Sequence, residues 1–503
     1  MIFQKIYNHS NKCPNKIALS CEKDTRDYRT LLTAALYYSN LIDNFCKNNK
    51  VKKHGYIGIL LENSLDFIEV FLGAIHSEYV PTIYNSDWSK RQLESICSKT
   101  KPHLILAHES LIKKYDYCIK SKYPIIRPNF KKNAFYDFDR LTEKNTYKDI
   151  LFVGFTSGST NLPKGFVRSQ TSWVKSFKAS SKEFSINSNS VVVAPGPLAH
   201  GFTLYAVMEA LIQGASVHVQ KKFDLTRLLP ILKNQYNTHL IAIPTMLKMM
   251  FSDIRYANKK FIKLGTIITS AEKLNKDTSH KIQTTFPNAK IIEYYGASEL
   301  GFISIRHVND PHCLSDSVGR PFKNVKINIV HEQNNVGTTN NIGEIWVKSP
   351  FIMNCYLTAK QNTNYQNKNG WATVGDLGYV DKNGYLYMLG RKDDMIITGG
   401  YNVYPSEVEN AIKTLSYVEN VYVFGIPNDK WGSMVCAALK IKTSSTASKE
   451  EIKTACSQLL VHYKIPKKIF VLSSVPVTAS GKVSRKLIIE QVLENNSNIY
   501  ELK

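Results

Sequence analysis

Long apolar runs are missing from this chain of 503 residues: none approaches the ~18 consecutive apolar residues that a membrane-spanning helix needs. Met1 to Lys16 carries polar residues throughout, without the apolar stretch of a secretion signal. Cysteine is scarce and irregular. The nine are an odd number, and neighbours such as Cys13 and Cys21, or Cys97 and Cys118, stand too far apart for a CxxC pair, so neither a disulfide framework nor a structural zinc site is indicated. These absences lead us to expect a reduced, soluble, cytoplasmic protein. Internal repeats and low-complexity tracts are also missing. Acidic residues are in the minority, 41 against 65 Lys and Arg, for a net charge of +24. Such an excess concentrates anionic ligands near the surface, whether nucleotides, phosphates, acidic lipid or nucleic acid. The charge is spread along the chain with no zinc-finger or RNA-binding signature in it, so nucleic acid is not the expected partner. A Lys-rich solubilising surface accounts for it, and peripheral contact with an anionic membrane is a second use open to it.

The remaining composition, 43% hydrophobic and 21% charged, suits a large packed core. At roughly 150 residues per domain the length allows about three folding units, which favours an enzyme over a small binding module. From Tyr56 the pattern reads strand, helix, strand, helix, strand: Tyr56 to Leu61, Ser64 to Glu78, Tyr79 to Tyr84, Ser89 to Lys99, His103 to Ala107. Apolar runs resume at Ile150 to Phe155, Val191 to Ala194, Leu240 to Ile243, Leu264 to Ile268 and Ile291 to Tyr295. This predicts an α/β fold, a large N-terminal body of mostly parallel sheets with helices. Beyond about Val318 short strands separated by Asn, Gly and Asp turns predict a β subdomain, at Gly343 to Val347, Gly378 to Val380 and Tyr385 to Leu389. After Arg391 come a helix opened by a Ser406–Glu409 capping box and strands at Val421 to Gly425 and Val435 to Ile441, the makings of a small α+β C-terminal domain. We therefore expect domains at residues 1–391 and 392–503.

The most informative segment is Phe155 to Gly165, Phe-Thr-Ser-Gly-Ser-Thr-Asn-Leu-Pro-Lys-Gly, directly after an apolar strand. The hydroxyls of Thr156, Ser157, Ser159 and Thr160 surround Gly158, which permits a sharp turn and leaves backbone amides free to form an anion nest. Lys164 adds a point charge, and the set suits two or three phosphate groups. It is no Walker A loop, because the lysine precedes glycine rather than Ser or Thr. Elsewhere, Asp376 offers a carboxylate that accepts from both hydroxyls of a ribose, Glu299 a hard oxygen for magnesium, Tyr295 an apolar face for a base, and Arg391 donors near a sugar. Taken singly, Asp376 and Asp393 read equally well as turn formers, Arg391 as a surface ion pair and Lys482 as a solvated loop charge.

Together these segments resemble, in order and spacing, the signatures of the adenylate-forming superfamily, which includes acyl-CoA synthetases, carrier-loading adenylation domains and luciferases. Phe155 to Gly165 resembles its phosphate-binding signature. Tyr294-Tyr295-Gly296-Ala297-Ser298-Glu299 resembles the segment whose aromatic stacks on adenine and whose glutamate helps hold magnesium, with Ser298 in place of the commoner threonine. Gly370-Trp371 with Thr373 and Gly375-Asp376, then Gly390-Arg391-Lys392-Asp393-Asp394, resemble the ribose-binding aspartate and the arginine–aspartate hinge. Thr478-Ala479-Ser480-Gly481-Lys482 resembles the C-terminal loop carrying the catalytic lysine. The resemblance covers roughly residues 15 to 490. It implies that Lys482, Glu299 and Thr156 serve catalysis, the last two as oxygen donors to Mg2+. It implies that Thr156, Ser157, Gly158, Ser159, Thr160, Lys164, Ser270, Ala271, Tyr295, Gly296, Ser298, Asp376 and Arg391 bind nucleotide. Asp393 is then the hinge of a mobile C-terminal lid, and Gly399 and Gly400 line the approach of a pantetheine thiol. Thr269-Ser270-Ala271-Glu272 departs from the glycine-rich form common at the adenine-side loop.

Pro195 to Gly201 opens an apolar helix, Phe202 to Leu211, and resembles the segment where acyl and aryl ligases place a histidine, here His200, beside the acid pocket. His200 reads alternatively as a core histidine bonded to backbone. Amino-acid adenylation domains usually carry a Phe-Asp pair there, whereas nothing acidic lies between Ala194 and Tyr205, so an ammonium substrate would be left unpaired. Some fatty-acyl members place a tryptophan four positions after this histidine, where this chain has Leu204. The implied reaction is ATP-dependent ligation of an apolar carboxylic acid to CoA through an acyl-adenylate, the best candidate acid being a medium- or long-chain fatty acid. Alternatives are a carrier-protein-loading enzyme, an aryl-CoA ligase, and, more distantly, a non-catalytic nucleotide or nucleic-acid binding protein. Lys482→Ala is expected to abolish adenylation, with a barrier increase of ~3 to 4 kcal/mol for one lost electrostatic contact, while sparing thioester formation from supplied acyl-adenylate. Equal loss in both half-reactions, measured separately, would remove the two-conformation account.

Overall fold

The computed structural model describes residues 2–131, 150–156, 162–253, 255–256, 259–274, 276–310, 316–331, 342–357, 365–442, 445–476, 483–494 and 496–502. Contacts divide the chain into two compact units, Met1–Ile327 with Val347–Ala372, and Asn328–Trp346 with Thr373–Lys503.

Among the described residues the first unit is built on a nine-stranded and a seven-stranded sheet. In the larger, Ile17–Cys21, Ser216–Val219, Val191–Ala194, Thr238–Ile241, Leu264–Thr269 and Lys290–Ala297 are successive parallel neighbours, with antiparallel strands only toward the edges. In the smaller, Tyr56–Leu60 lies parallel to Val80–Ile83 and Leu104–Ala107, and Val80–Ile83 to Ile150–Thr156. Lys164–Ser169 and Cys355–Tyr356 close that edge antiparallel. The expected α/β body of mostly parallel sheets is thus present. Its strands read as continuous apolar runs because both faces are covered: all four residues of Val80–Ile83 and of Leu104–Ala107 are buried. The helices between them begin where serines satisfy the first free amides. Ser64 Oγ accepts from Phe67 N at 3.3 Å to open Leu65–His76, and Ser89 with Gln92 forms a capping box before Lys90–Thr100.

The second unit holds most of a four-stranded sheet, Lys326–Val330, Gly343–Lys348, Asp376–Val380 and Leu386–Arg391. It also holds a six-stranded sheet centred on Gly432–Ile441. Alternate residues of that central strand serve two cores. Val435, Ala437 and Leu439 pack with helices Pro405–Ile412 and Lys449–Leu459, while Cys436 and Ala438 pack with Ile488 and Val492 of Arg485–Leu493. The expected Ser406–Glu409 capping box does not form. Helix Pro405–Ile412 has Tyr404 at its N-cap, and the Ser406 hydroxyl donates to the Leu389 carbonyl. Glu409 instead accepts from Val423 N at 3.0 Å and from the Arg485 guanidinium at 2.8 Å. A buried carboxylate gains more from a cation and a strand amide than from an exposed cap. Among the described residues no helix is long and apolar enough to cross a membrane.

Among the described residues, the buried Glu209 takes its side-chain hydrogen bond from a hydroxyl and not from a cation. Glu209, on helix Gly201–Ile212, accepts from the Ser180 hydroxyl, which also meets Tyr205 Oη at 2.8 Å, and Tyr205 donates to Ser176 Oγ at 3.0 Å. Burial pushes its carboxyl up to about 8, offset in part by the Ser180 bond. A carboxyl raised above its unfolded value of ~4.3 holds its proton in the fold where the open chain has lost it. Its contribution to stability is therefore full below the unfolded pKa and declines as pH rises to the folded one, by a few kcal/mol in total. Glu209→Gln, neutral at every pH, is expected to lose less Tm than the parent between about pH 4 and about pH 8. An equal fall in both proteins, read by thermal melting, would assign the titration to another group.

Candidate functional site

Parallel pairing sets every strand's C-terminal end on the same edge of its sheet, the edge at which α/β proteins place ligands. On the nine-stranded sheet, Val191–Ala194 is followed by Pro195 to His200, Leu264–Thr269 by Ser270 and Ala271, and Lys290–Ala297 by Ser298 and Glu299. On the seven-stranded sheet, Ile150–Thr156 ends at Thr156, while Asn63 and Asn85 follow Tyr56–Leu60 and Val80–Ile83. The two asparagines join these edges. Asn63 Nδ2 donates to the carbonyls of Gly196 at 2.8 Å and Gln220 at 2.9 Å, and Asn63 Oδ1 accepts from Leu198 N at 2.7 Å. Asn85 Nδ2 lies 3.5 Å from His200 Nε2. Sequence reasoning missed both, although an asparagine two or three positions past an apolar strand was a usable signal.

Thr156 and Lys164 are the cross-strand partners at one end of an antiparallel pair, Thr156 Oγ1 lying 3.5 Å from the Lys164 carbonyl. The lysine is exposed. Ser157, Gly158, Ser159 and Thr160 lie outside the described residues, as does Lys482.

The Tyr294 to Glu299 segment runs from strand into turn. Strand alternation sends Tyr294 and Tyr295 to opposite faces. The Tyr294 ring packs against Phe302 at 4.7 Å, Phe202 at 6.0 Å and Phe184 at 6.1 Å, while Tyr295 is half-buried. Gly296 faces Gly301 so closely that a Cβ would meet the Gly301 carbonyl oxygen at 2.4 Å, so only glycine fits. Ser298 is exposed and Glu299 half-buried. Glu299 Oε1 accepts from Tyr356 Oη at 2.9 Å, and its backbone carbonyl from Met353 N at 2.8 Å. Beneath the turn, the buried Arg168 reaches the Ser298 carbonyl with Nη1 at 3.4 Å. Burial lowers its guanidinium to about 10, and Tyr205 and Glu299 oppose the shift. Neither Arg168 nor Tyr356 was singled out by sequence; the arginine at Arg168, inside an apolar strand run, was the available cue.

Ser270 Oγ donates to the Tyr294 carbonyl at 2.9 Å, which ties the 270–274 loop to the neighbouring strand. Ala271 holds φ +77°, a conformation that disfavours a side chain. The loop closes at Leu274, whose amide donates at 2.8 Å to the buried Glu293, itself paired with Arg306 at 2.5 Å. His200 is half-buried at the N-cap of Gly201–Ile212 without a side-chain cap bond.

Within the second unit Asp376 and Arg391 are cross-strand partners, Arg391 Nε lying 3.5 Å from Asp376 Oδ1. The aspartate is buried and the arginine exposed. Asp393 is exposed in the short 3-10 helix Lys392–Asp394. Gly399 and Gly400, at φ +57° and +83°, form the two-residue turn between Ile396–Thr398 and Tyr401–Val403, which needs left-handed backbone at both positions. Gly399 N donates to the Trp431 carbonyl at 2.8 Å.

Among the described residues no cluster of three or more His, Cys, Asp or Glu side chains is arranged to hold a metal ion. Glu299 and Thr156 offer the hard oxygens that suit magnesium, an ion usually bound by one or two carboxylates together with substrate phosphates.

The profile described as AMP-binding enzyme matches residues 6–357, and that of the AMP-binding enzyme C-terminal domain residues 407–482. YhfT of Bacillus subtilis, described as an uncharacterized acyl–CoA ligase, is 31% identical over 437 residues, covering 86% of this chain and 87% of its own. VraA of Staphylococcus epidermidis, provisionally named a long chain fatty acid-CoA ligase, is 28% identical over 489 residues, covering 96% and 97%. In fold, the chain is similar to o-succinylbenzoate CoA synthetase MenE of Bacillus subtilis in complex with ATP and magnesium. The TM-score is 0.81 and the identity 24%, over 96% of this chain and 98% of that one.

Asp376→Ala is expected to weaken ATP binding about tenfold, near 1.4 kcal/mol, with little effect on the acid. Calorimetric titration with each ligand checks this, and an equal loss for both would make Asp376 a fold residue that serves to hold Arg391.

Proposed function

The chain belongs to the AMP-binding enzyme family, as an enzyme of its AMP-forming acyl-CoA ligase branch, and from that premise we propose that it ligates an apolar carboxylic acid, best a medium- or long-chain fatty acid, to CoA. In the first half-reaction the acid's carboxylate attacks the α-phosphorus of ATP and displaces pyrophosphate, giving an acyl-adenylate. In the second, the CoA thiol attacks the acyl carbonyl and AMP leaves, giving the thioester.

Residue roles follow the same reading. Thr156, Ser157, Gly158, Ser159, Thr160 and Lys164 bind the phosphates; Tyr295, Gly296 and Ser298, with Ser270 and Ala271, bind the nucleotide on the adenine side; Asp376 and Arg391 hold the ribose. Glu299 and Thr156 would hold the magnesium ion, which neutralises charge on the ATP phosphates. Lys482 offsets the charge that gathers on the α-phosphate and carboxylate as they approach. Asp393 is the hinge between domains 1–391 and 392–503, and Gly399 and Gly400 receive the pantetheine. The protein acts in the cytoplasm, where the cationic surface draws it toward anionic membranes in which fatty acids partition.

The observation that carries the choice of acid is the helix opening at His200. Nine of its twelve residues are buried, its Phe202 packs against Tyr294, and the approach from Ala194 to Tyr205 lacks any acid to pair an ammonium. The similarity to VraA supports a fatty acid, and the likeness to MenE keeps an aromatic acid as the competitor. Mass spectrometry of a reaction with ATP, magnesium, CoA and a mixed panel of acids and amino acids tests it. A fatty acyl-CoA is the expected product. An aryl-CoA would replace the acid, and AMP with pyrophosphate but no thioester would make a carrier protein the acceptor.

A further inference from the structure

Glu299 is gripped by a segment to which the reaction scheme gives no part, and we propose that Tyr356 is a positioning residue for the Glu299 carboxylate. The proposal rests on the reading above, in which Glu299 meets the magnesium–nucleotide complex. Tyr356 Oη donates to Glu299 Oε1 at 2.9 Å, and Met353 N donates to the Glu299 carbonyl at 2.8 Å, so one short stretch holds both ends of the residue. That stretch is fixed to the strand that begins at Lys164. Cys355 and Tyr356 pair antiparallel with Val167 and Phe166, Asn354 N donates to the Val167 carbonyl at 3.0 Å, and Leu357 N to the Gly165 carbonyl at 2.8 Å. Arg168, on the same strand, reaches the Ser298 carbonyl from below.

Glu299 sits on the turn between Lys290–Ala297 and Gly301–His307, which belong to the nine-stranded sheet, whereas Lys164–Ser169 belongs to the seven-stranded one. The Tyr356 hydroxyl therefore couples the lysine-bearing strand of one sheet to the carboxylate of the other. A glutamate has three side-chain torsions, and a donor on Oε1 fixes the last of them while leaving Oε2 for a cation. The Tyr356 ring is itself held edge-on by Tyr365 at 5.4 Å. This is the arrangement by which hydrogen-bonded partners orient carboxylate ligands.

The test uses the full chain and Tyr356→Phe, which keeps the ring and removes only the donor. Calorimetry gives the ATP Kd with magnesium and with a chelator, in the parent and in Glu299→Gln. Tyr356→Phe is expected to reduce the gain in ATP affinity from magnesium about tenfold, leaving the chelated Kd unchanged. In the Glu299→Gln background the same substitution is expected to change nothing beyond about twofold, because its target is gone. An equal weakening with and without magnesium, or the same factor in both backgrounds, overturns the positioning role and leaves Tyr356 as packing. A parent protein that binds ATP no better with magnesium than without it overturns the reading of Glu299 itself, a separate result.

Discussion

Parallel pairing of Val191–Ala194, Thr238–Ile241, Leu264–Thr269 and Lys290–Ala297 fixes where chemistry can stand in the first unit. Each strand ends at the same edge, so residues far apart in sequence, His200, Ser270 and Glu299, share that edge without any contact among them having to specify it. The seven-stranded sheet repeats the device with Thr156, Asn63 and Asn85. Two side chains then set the relation of the edges: Asn63 spans from one sheet's loop to three backbone groups of the other, and Asn85 reaches His200. An amide can do this because it donates and accepts at once, which a carboxylate or a lysine cannot.

The buried charges follow one rule. Arg168, Glu209, Glu293 and Arg306 all lie below the surface, where an unpaired ion costs several kcal/mol. Glu293 and Arg306 pair with each other, and the pair carries the loop through Leu274. Arg168 spends its charge on the Ser298–Glu299 turn. Glu209, served by the Ser180 hydroxyl, meets the cost by holding a proton instead.

Much of this was legible in the sequence, and what was not has a physical cause. The parallel strands announced themselves because burial on both faces leaves four-residue apolar runs such as Leu104–Ala107. The segments carrying Glu299 and Asp376 stood out because their residue types and order resemble the signatures of the family to which the chain belongs. Ser406 and Glu409 misled, since a capping box is a local signal and both side chains answered to tertiary partners, Leu389 and Arg485. Tyr356 was invisible for a related reason. Its strand, Cys355–Tyr356, has only two residues, too short to carry a period, and its partner Glu299 lies 57 positions away.

Ala271 shows how a departure from a common pattern is absorbed. A side chain at φ +77° strains the backbone by roughly 1–2 kcal/mol relative to glycine's freedom there. Such strain persists only where surrounding bonds over-determine the loop. They do so here on both flanks: Ser270 is tied to the Tyr294 carbonyl, and Leu274 to a carboxylate already locked by Arg306. The loop thus keeps a glycine-like path with an alanine in it. What the methyl changes is the space beside the loop and not its course, because the flanking bonds of Ser270 and Leu274 hold the backbone whichever residue stands at 271.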